Sequence, residues 1–98
     1  MFEILGGCNV HITFKNDVTV SIFIGGGSYS DNHDADIGNE RGKNISSSTV
    51  ELAAWGVGGK WITRELRPDA TDNVLGYQTI EQLLGFLNKA ANRKEEEG

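Results

Sequence analysis

Alternation of apolar and polar residues near the N-terminus constrains the fold of this chain more than any other feature. Apolar side chains recur at every second position through residues 10–14 and again through residues 18–24, which is the period of a half-buried β-strand. The segment between them, residues 15–17, contains Asn and Asp, which accept the left-handed backbone of tight turns. The sequence therefore predicts a β-hairpin, with residues 2–5 as a short strand before it.

A second hairpin is predicted further along the chain. Residues 49–55 alternate in the same way, and residues 60–66 are interpreted as the strand that returns. The glycine-rich segment 56–59 would form the turn between them. Residues 67–77 contain the single proline and are expected to form a loop.

An amphipathic helix is predicted at the C-terminal end. Thr79 followed three residues later by Gln82 is the pattern of a capping box. An apolar stripe with helical spacing follows, and Phe86 lies to one side of it. The stripe consists of Ile80, Leu83, Leu84, Leu87, Ala90 and Ala91. The fold class that follows is α+β, an antiparallel β-sheet of two hairpins, with four to five strands, packed against one C-terminal amphipathic helix.

The length of the chain limits it to one domain. Ninety-eight residues are too few for two hydrophobic cores. We expect a single α+β domain over residues 1–94 and a frayed acidic tail over residues 95–98. A domain of this size buries a modest core, so we also expect a homo-oligomer.

Charge and composition argue against several classes of partner. The formal net charge of −5 disfavours direct binding of nucleic acid, which relies on positive charge. No apolar run approaches the length of a membrane span, and no secretory leader is evident. Cys8 is the one cysteine, so no intrachain disulfide is available. The sequence predicts a cytoplasmic protein without a membrane partner.

Patterns typical of catalysis or of cofactor binding are weak. The acidic segment 31–36 does not match the spacing of a calcium loop. His11 and His33 have no nearby serine or cysteine in a nucleophilic pattern. We therefore expect no enzyme activity, no metal and no cofactor.

Candidate ligand-binding residues cluster around the long polar stretch 25–48 and the two tryptophans. Glycine amides can line an anion site, aromatic rings can stack a base, and arginines can pair with phosphates. Trp55 and Trp61 flank the glycine-rich turn, so they can equally be a cross-strand pair that stabilises the hairpin, or a surface for a protein partner. The candidate residues are Gly26, Gly27, Ser28, Tyr29, Asn32, Arg41, Trp55, Trp61 and Arg64.

Three segments resemble a group of small bacteriophage and prophage accessory proteins. They are TVSIFIGGGSYSDN at 19–32, VELAAW at 50–55 and GYQTIEQLL at 76–84. Ile24 and Ser30 depart from the pattern of that group. The resemblance implies an anti-defence protein of the host cytosol, for which we expect a nucleotide-like small molecule as partner. The lead hypothesis is a non-enzymatic sponge that sequesters a nucleotide-derived immune signal in a pocket at an oligomer interface. The alternative is an acidic protein–protein inhibitor of a host defence complex, as anti-CRISPR proteins are.

Overall fold

A five-stranded antiparallel sheet with one long helix on one face forms the domain. The computed structural model describes residues 1–34 and 46–94. Each strand pairs with its neighbour in sequence, so the sheet is a simple meander in the order β1-β2-β3-β4-β5. The α+β class is thereby confirmed. The strands are β1 (Phe2–Leu5), β2 (Asn9–Thr13), β3 (Thr19–Phe23), β4 (Val50–Trp55) and β5 (Val74–Gln78).

The first predicted hairpin is confirmed as β2 and β3. Ile12 lies opposite Val20 in its register, and Asp17 takes a left-handed φ of 64° in the turn. Asn16 in the same turn donates hydrogen bonds from Nδ2 to the carbonyl oxygens of Ala90 and Arg93, both at 2.9 Å. The turn is thus tied to the C-terminal end of the helix, in addition to closing the hairpin.

The prediction of a strand over residues 60–66 was wrong. Residues Val57–Gly59 form a 3₁₀ turn, Trp61 makes a single bridge to Trp55, and Thr63–Leu66 form a short helix, α1. The hydroxyl of Thr63 accepts from the amide of Ala54 at 2.9 Å. A side chain therefore satisfies the edge of β4 at this point, and the backbone is free to turn into a helix.

The strand that pairs with β4 on this side is β5, which comes from residues predicted as loop. The register joins Val50 to Gln78 and Leu52 to Leu75, with an irregularity between them. Tyr77 adopts a φ of 52° there, and its amide donates to the carbonyl of Tyr29 at 2.7 Å. The strand thus deviates from regular alternation, which explains why its period is not evident in the sequence.

Helix α2 (Ile80–Ala91) begins at the predicted cap. The hydroxyl of Thr79 accepts from the amide of Gln82 at 3.2 Å, and the Gln82 side chain accepts from the amide of Thr79 at 2.9 Å. None of the described helices is long and apolar enough to traverse a lipid bilayer.

The buried face of α2 differs from the predicted stripe. Phe86 is 1% exposed, whereas Leu84 is 68% exposed and Ile80 is also at the surface. The ammonium of Lys89 donates to the carbonyl of Leu66 at 3.1 Å, which holds one flank of α2 against α1. In this orientation of the helix Phe86 points into the core. The core consists of Val18, Val20, Leu52, Ala54, Ile62, Leu66, Leu75, Phe86 and Ala90.

Candidate functional site

The sheet face opposite α2 presents a row of side chains from three central strands. His11, Ser21 and Ala53 lie side by side in the register of β2, β3 and β4. Strand residues alternate between faces, so these side chains point away from the core residues Val20 and Leu52. The helix therefore covers one face, and this row belongs to the other.

Three aromatic rings form a cluster on this second face. The rings of Trp55 and Trp61 meet edge to face, with centroids 5.7 Å apart and planes at 82°. His11 meets Trp55 in the same way, at 5.0 Å and 80°. Trp55 is half-buried, and Trp61 is 50% exposed. The aromatic cluster, defined as His11, Trp55 and Trp61, thus has a supported inner part and an accessible outer ring.

A tight return of the backbone after β4 places Trp61 beside Trp55. The amide of Gly56 donates to the carbonyl of Lys60 at 2.8 Å, and the amide of Ile62 donates to the carbonyl of Ala54 at 3.0 Å. Gly58 has a φ of 73°, a conformation that glycine adopts without steric cost. Hydrogen bonds on both sides of Trp61 therefore fix its backbone, and the cross-strand pairing of the tryptophans is observed.

The glycine-rich turn after β3 uses its amides within the chain. The amide of Gly27 donates to the carbonyl of His33 at 2.9 Å, and that of Ser28 to the carbonyl of Gly25 at 3.1 Å. The amide of Tyr29 donates to the Glu51 carboxylate at 3.2 Å. An anion at this turn would have to displace these acceptors. The amides of Gly27, Ser28 and Tyr29 thus have structural partners.

Side chains of the same turn form hydrogen bonds with residues 46–49, just before β4. Asn32 donates from Nδ2 to the carbonyls of Ile24, at 2.8 Å, and Ser46, at 3.0 Å. The carboxylate of Asp31 accepts hydrogen bonds from Ser48 and Thr49, and these lower the pKa of Asp31 below its usual value. Asn32, predicted as a ligand contact, is therefore engaged in closing this loop.

Tyr29 projects from the turn and is 51% exposed. Its ring stacks on His33, with centroids 5.4 Å apart and planes at 12°. Its Cβ lies so close to Gly76 that any side chain there would approach it to 2.9 Å. Tyr29 is the second exposed aromatic residue among the predicted contacts, but it lies against β5.

The structure separates the predicted contacts into two groups. Gly26, Gly27, Ser28, Tyr29 and Asn32 lie near the beginning of β4, as the bond from Tyr29 to Glu51 shows. Trp55 and Trp61 lie at its other end, and four residues of strand span about 13 Å. The two groups are therefore separate parts of the surface.

The two predicted arginines have different standings. Arg64 lies in α1, three residues after Trp61, and is exposed. It makes no hydrogen bond or ion pair to any residue of the ranges 1–34 and 46–94. Its guanidinium is therefore not engaged by these residues. Arg41 lies outside the described residues.

His11 is the member of the cluster that was not predicted as a contact. Its position on the polar side of β2 is evident from the alternation in the sequence. Its contact with Trp55 depends on β3 separating β2 from β4 and on the diagonal offset across these strands. Strand order is a long-range property, so no local pattern could have joined the two residues.

Within the described part of the chain, no three His, Cys, Asp or Glu side chains are close enough together to hold a metal ion. No protein-family model matches the chain, and neither a curated protein nor a solved structure is significantly similar to it.

Proposed function

We propose that this chain is a non-enzymatic binding protein that captures a nucleotide-derived small molecule on its aromatic cluster. The observation that carries the proposal is the geometry of Trp61. Its ring is half exposed, yet the edge contact with Trp55 and the backbone bonds around it restrict its position. An exposed aromatic surface whose position is already restricted binds a planar ligand with little further loss of conformational entropy.

Stacking on such a ring supplies useful affinity. Base–aromatic stacking contributes about 1–3 kcal/mol per base. His11 supports the inner edge of Trp55, so the platform would yield little when a base lands on Trp61. A purine or pyrimidine ring fits this chemistry because each has a π-face.

Charge limits the size of the ligand. The net charge of −5 repels a long polyanion. Arg64, which follows Trp61 by three residues in the chain, can form a bidentate pair with a phosphate. A ligand with one or two phosphates and a base therefore suits the site better than a strand of nucleic acid.

The biological role we propose is sequestration. The resemblance of residues 19–32, 50–55 and 76–84 to phage accessory proteins supports an anti-defence protein that lowers the concentration of a host signalling nucleotide. A sponge needs affinity and no chemistry, in accordance with a site built from rings and one arginine. The bound nucleotide would be released unchanged in mass.

Native mass spectrometry with a panel of linear and cyclic nucleotides tests the proposal. We expect the wild-type chain to retain a nucleotide of unaltered mass, and Trp61→Ala to reduce the affinity at least tenfold. Tyr29→Ala is the matched control, since Tyr29 is as exposed as Trp61 but belongs to the other group of residues. Circular dichroism would verify that both variants are folded.

Three results would contradict the proposal. A chain that binds no nucleotide of the panel would favour a protein partner. Loss of binding in Tyr29→Ala with retention in Trp61→Ala would move the site to the glycine-rich turn. Conversion of a nucleotide to a product of different mass would show an enzyme.

A further inference from the structure

An apolar surface on the helix side of the sheet extends beyond the helix. Phe2 and Ile4 are 76% and 71% exposed. In the register Ile4 lies beside Val10, which lies beside the core-facing Ile22, so these side chains share the face that carries α2. Ile12 belongs to the same face, opposite Phe2. We call Phe2, Ile4, Val10 and Ile12 the β1–β2 shelf.

Helix α2 covers only part of this face. It contacts β3, β4 and α1, and Val10 and Ile12 do not belong to the core cluster beneath it. The position of Ile80 indicates which flank of α2 lies toward the shelf. Ile80 and Lys89 are nine residues apart, about two and a half helical turns, so they lie on opposite flanks of α2.

The flank of α2 with Ile80 and Leu84 faces the β1–β2 shelf. Lys89 is bound to the carbonyl of Leu66 in α1, and α1 follows the bridge between Trp61 and β4 on the side away from β3. The opposite flank must therefore point toward β3, β2 and β1. The shelf and this flank together form an apolar step. The shelf is its flat part on the sheet, and the flank rises beside it by about the diameter of a helix.

We propose that this step is a self-association surface on which a second copy of the chain packs by two-fold symmetry. Packed sheets lie about 10 Å apart, and a helix is about 10 Å in diameter. The partner's shelf would therefore lie on this shelf at normal sheet spacing, while its β1 strand lies beside Ile80 and Leu84. The surface is self-complementary because each copy presents both the shelf and the adjoining helix flank. Each shelf can pack on the other shelf, and each flank can pack beside the partner's β1, as a two-fold interface requires.

The buried area is sufficient for a specific but modest interface. An exposed aliphatic side chain contributes on the order of 100 Å² when it is covered, and Phe2 contributes somewhat more. The shelf and the flank thus supply about 500 Å² per copy. The total of about 1,000 Å² is at the lower limit of specific interfaces, so we expect dissociation in the micromolar range.

Electrostatics gives the dimer a characteristic salt dependence. Each copy has a formal charge of −5, and no charged residue belongs to the shelf. Added salt screens the repulsion between the two copies, so the dimer becomes tighter as sodium chloride rises. An interface held by ion pairs would show the opposite trend.

The dimer and the aromatic cluster are independent of each other. His11 and Trp55 lie on the face opposite the β1–β2 shelf, so each copy would carry its own ligand site on the outside of the dimer. This arrangement differs from a pocket at the oligomer interface. A failure of nucleotide binding would leave the dimer proposal standing, and the reverse also holds.

Analytical ultracentrifugation of the full chain, from about 1 to 500 µM, tests this proposal with two matched variants. Ile4→Glu places a charge on the shelf. Leu5→Glu places it on the next residue of the same strand, on the opposite face, where Leu5 is also exposed. We expect the wild type and Leu5→Glu to dimerise, and Ile4→Glu to weaken the dimer at least tenfold.

Several results would overturn the proposal. A wild-type chain that remains monomeric at 500 µM would contradict self-association and would favour a different occupant of the shelf, such as a helix of a partner protein. Equal weakening by Ile4→Glu and Leu5→Glu would mean that both act through the stability of β1. A dimer that Ile4→Glu leaves intact would place the interface elsewhere.

Discussion

Phe86→Ala is the substitution that most sharply tests how α2 packs on the sheet. Phe86 is the largest of the fully buried side chains and lies in the cluster with Val20 and Leu52. Truncating a buried phenylalanine to alanine costs about 3–5 kcal/mol, from lost transfer free energy and the cavity left behind. Domains of this size have a free energy of unfolding on the order of 5–15 kcal/mol, so the variant would lose a large fraction of its stability.

The matched control is Leu84→Ala, two residues earlier on the same helix. Leu84 is mostly exposed, and its truncation should change the free energy of unfolding by less than about 0.5 kcal/mol. If Leu84 were in the core, as the apolar stripe in the sequence suggests, Leu84→Ala would cause the larger loss in free energy of unfolding. The two substitutions thus distinguish the observed rotation of α2 from the one that the sequence suggests.

Urea denaturation followed by circular dichroism gives the comparison. With a slope of about 2 kcal/mol per molar urea, a loss of 4 kcal/mol lowers the midpoint by about 2 M. Measurement near 1 µM protein keeps the chain below the concentration at which dimerisation would add stability. Equal losses for Phe86→Ala and Leu84→Ala would refute the assignment of the buried face.

Two further predictions concern glycine packing and pH. Gly76→Ala should cost about 1–3 kcal/mol, because its new Cβ would lie 2.9 Å from the Cβ of Tyr29. Gly85→Ala, with no atom within 4 Å of the new Cβ, should raise the free energy of unfolding by about 1 kcal/mol. Thermal melts compare the two variants, and a Gly76→Ala variant as stable as the wild type would contradict the contact with Tyr29. Hydrogen bonds from Ser48 and Thr49 hold the pKa of Asp31 below 3.8, so its stabilisation is present above that pH and is lost as the pH falls through the lowered value. Asp31→Asn should therefore destabilise the chain at pH 7 and flatten its acid denaturation profile, and an unchanged profile would refute this role.

Local sequence patterns correctly predicted the elements that depend only on nearby residues. Alternation through residues 10–14 and 18–24, with Asn and Asp between them, sufficed for the β2–β3 hairpin because register and turn reinforce each other. The capping box at Thr79 likewise located the start of α2. These signals depend on neighbours within a few residues, so no knowledge of the rest of the fold was required.

Long-range contacts decided the elements that were predicted wrongly. The backbone of residues 60–66 leaves the sheet where the hydroxyl of Thr63 takes the place of a ladder partner for Ala54. β5 contains Gly76, and the close approach of Tyr29 leaves no room for a side chain at this position. Neither contact is encoded by spacing along the chain. The orientation of α2 also depends on distant residues, because Phe86 packs in a cluster with side chains of the sheet and of α1.

The candidate site shows the same division. The proximity of Trp55 and Trp61 follows from a short glycine turn and was expected. The separation of this pair from Tyr29 follows from the direction of β4, and the partners of the glycine-rich turn come from residues near Ser48. The sequence analysis placed these residues in one site because the sequence does not show how far apart β4 holds the two groups.

The most direct test of the proposed ligand site observes the two tryptophans themselves. Both tryptophans of the chain belong to the aromatic cluster, so their two indole N–H resonances report on this site alone. In a titration with the cyclic and linear nucleotides, followed by ¹H–¹⁵N correlation spectra, we expect a saturating shift of both signals, larger for the exposed Trp61. Saturable binding of a nucleotide that leaves both indole signals unmoved would contradict it.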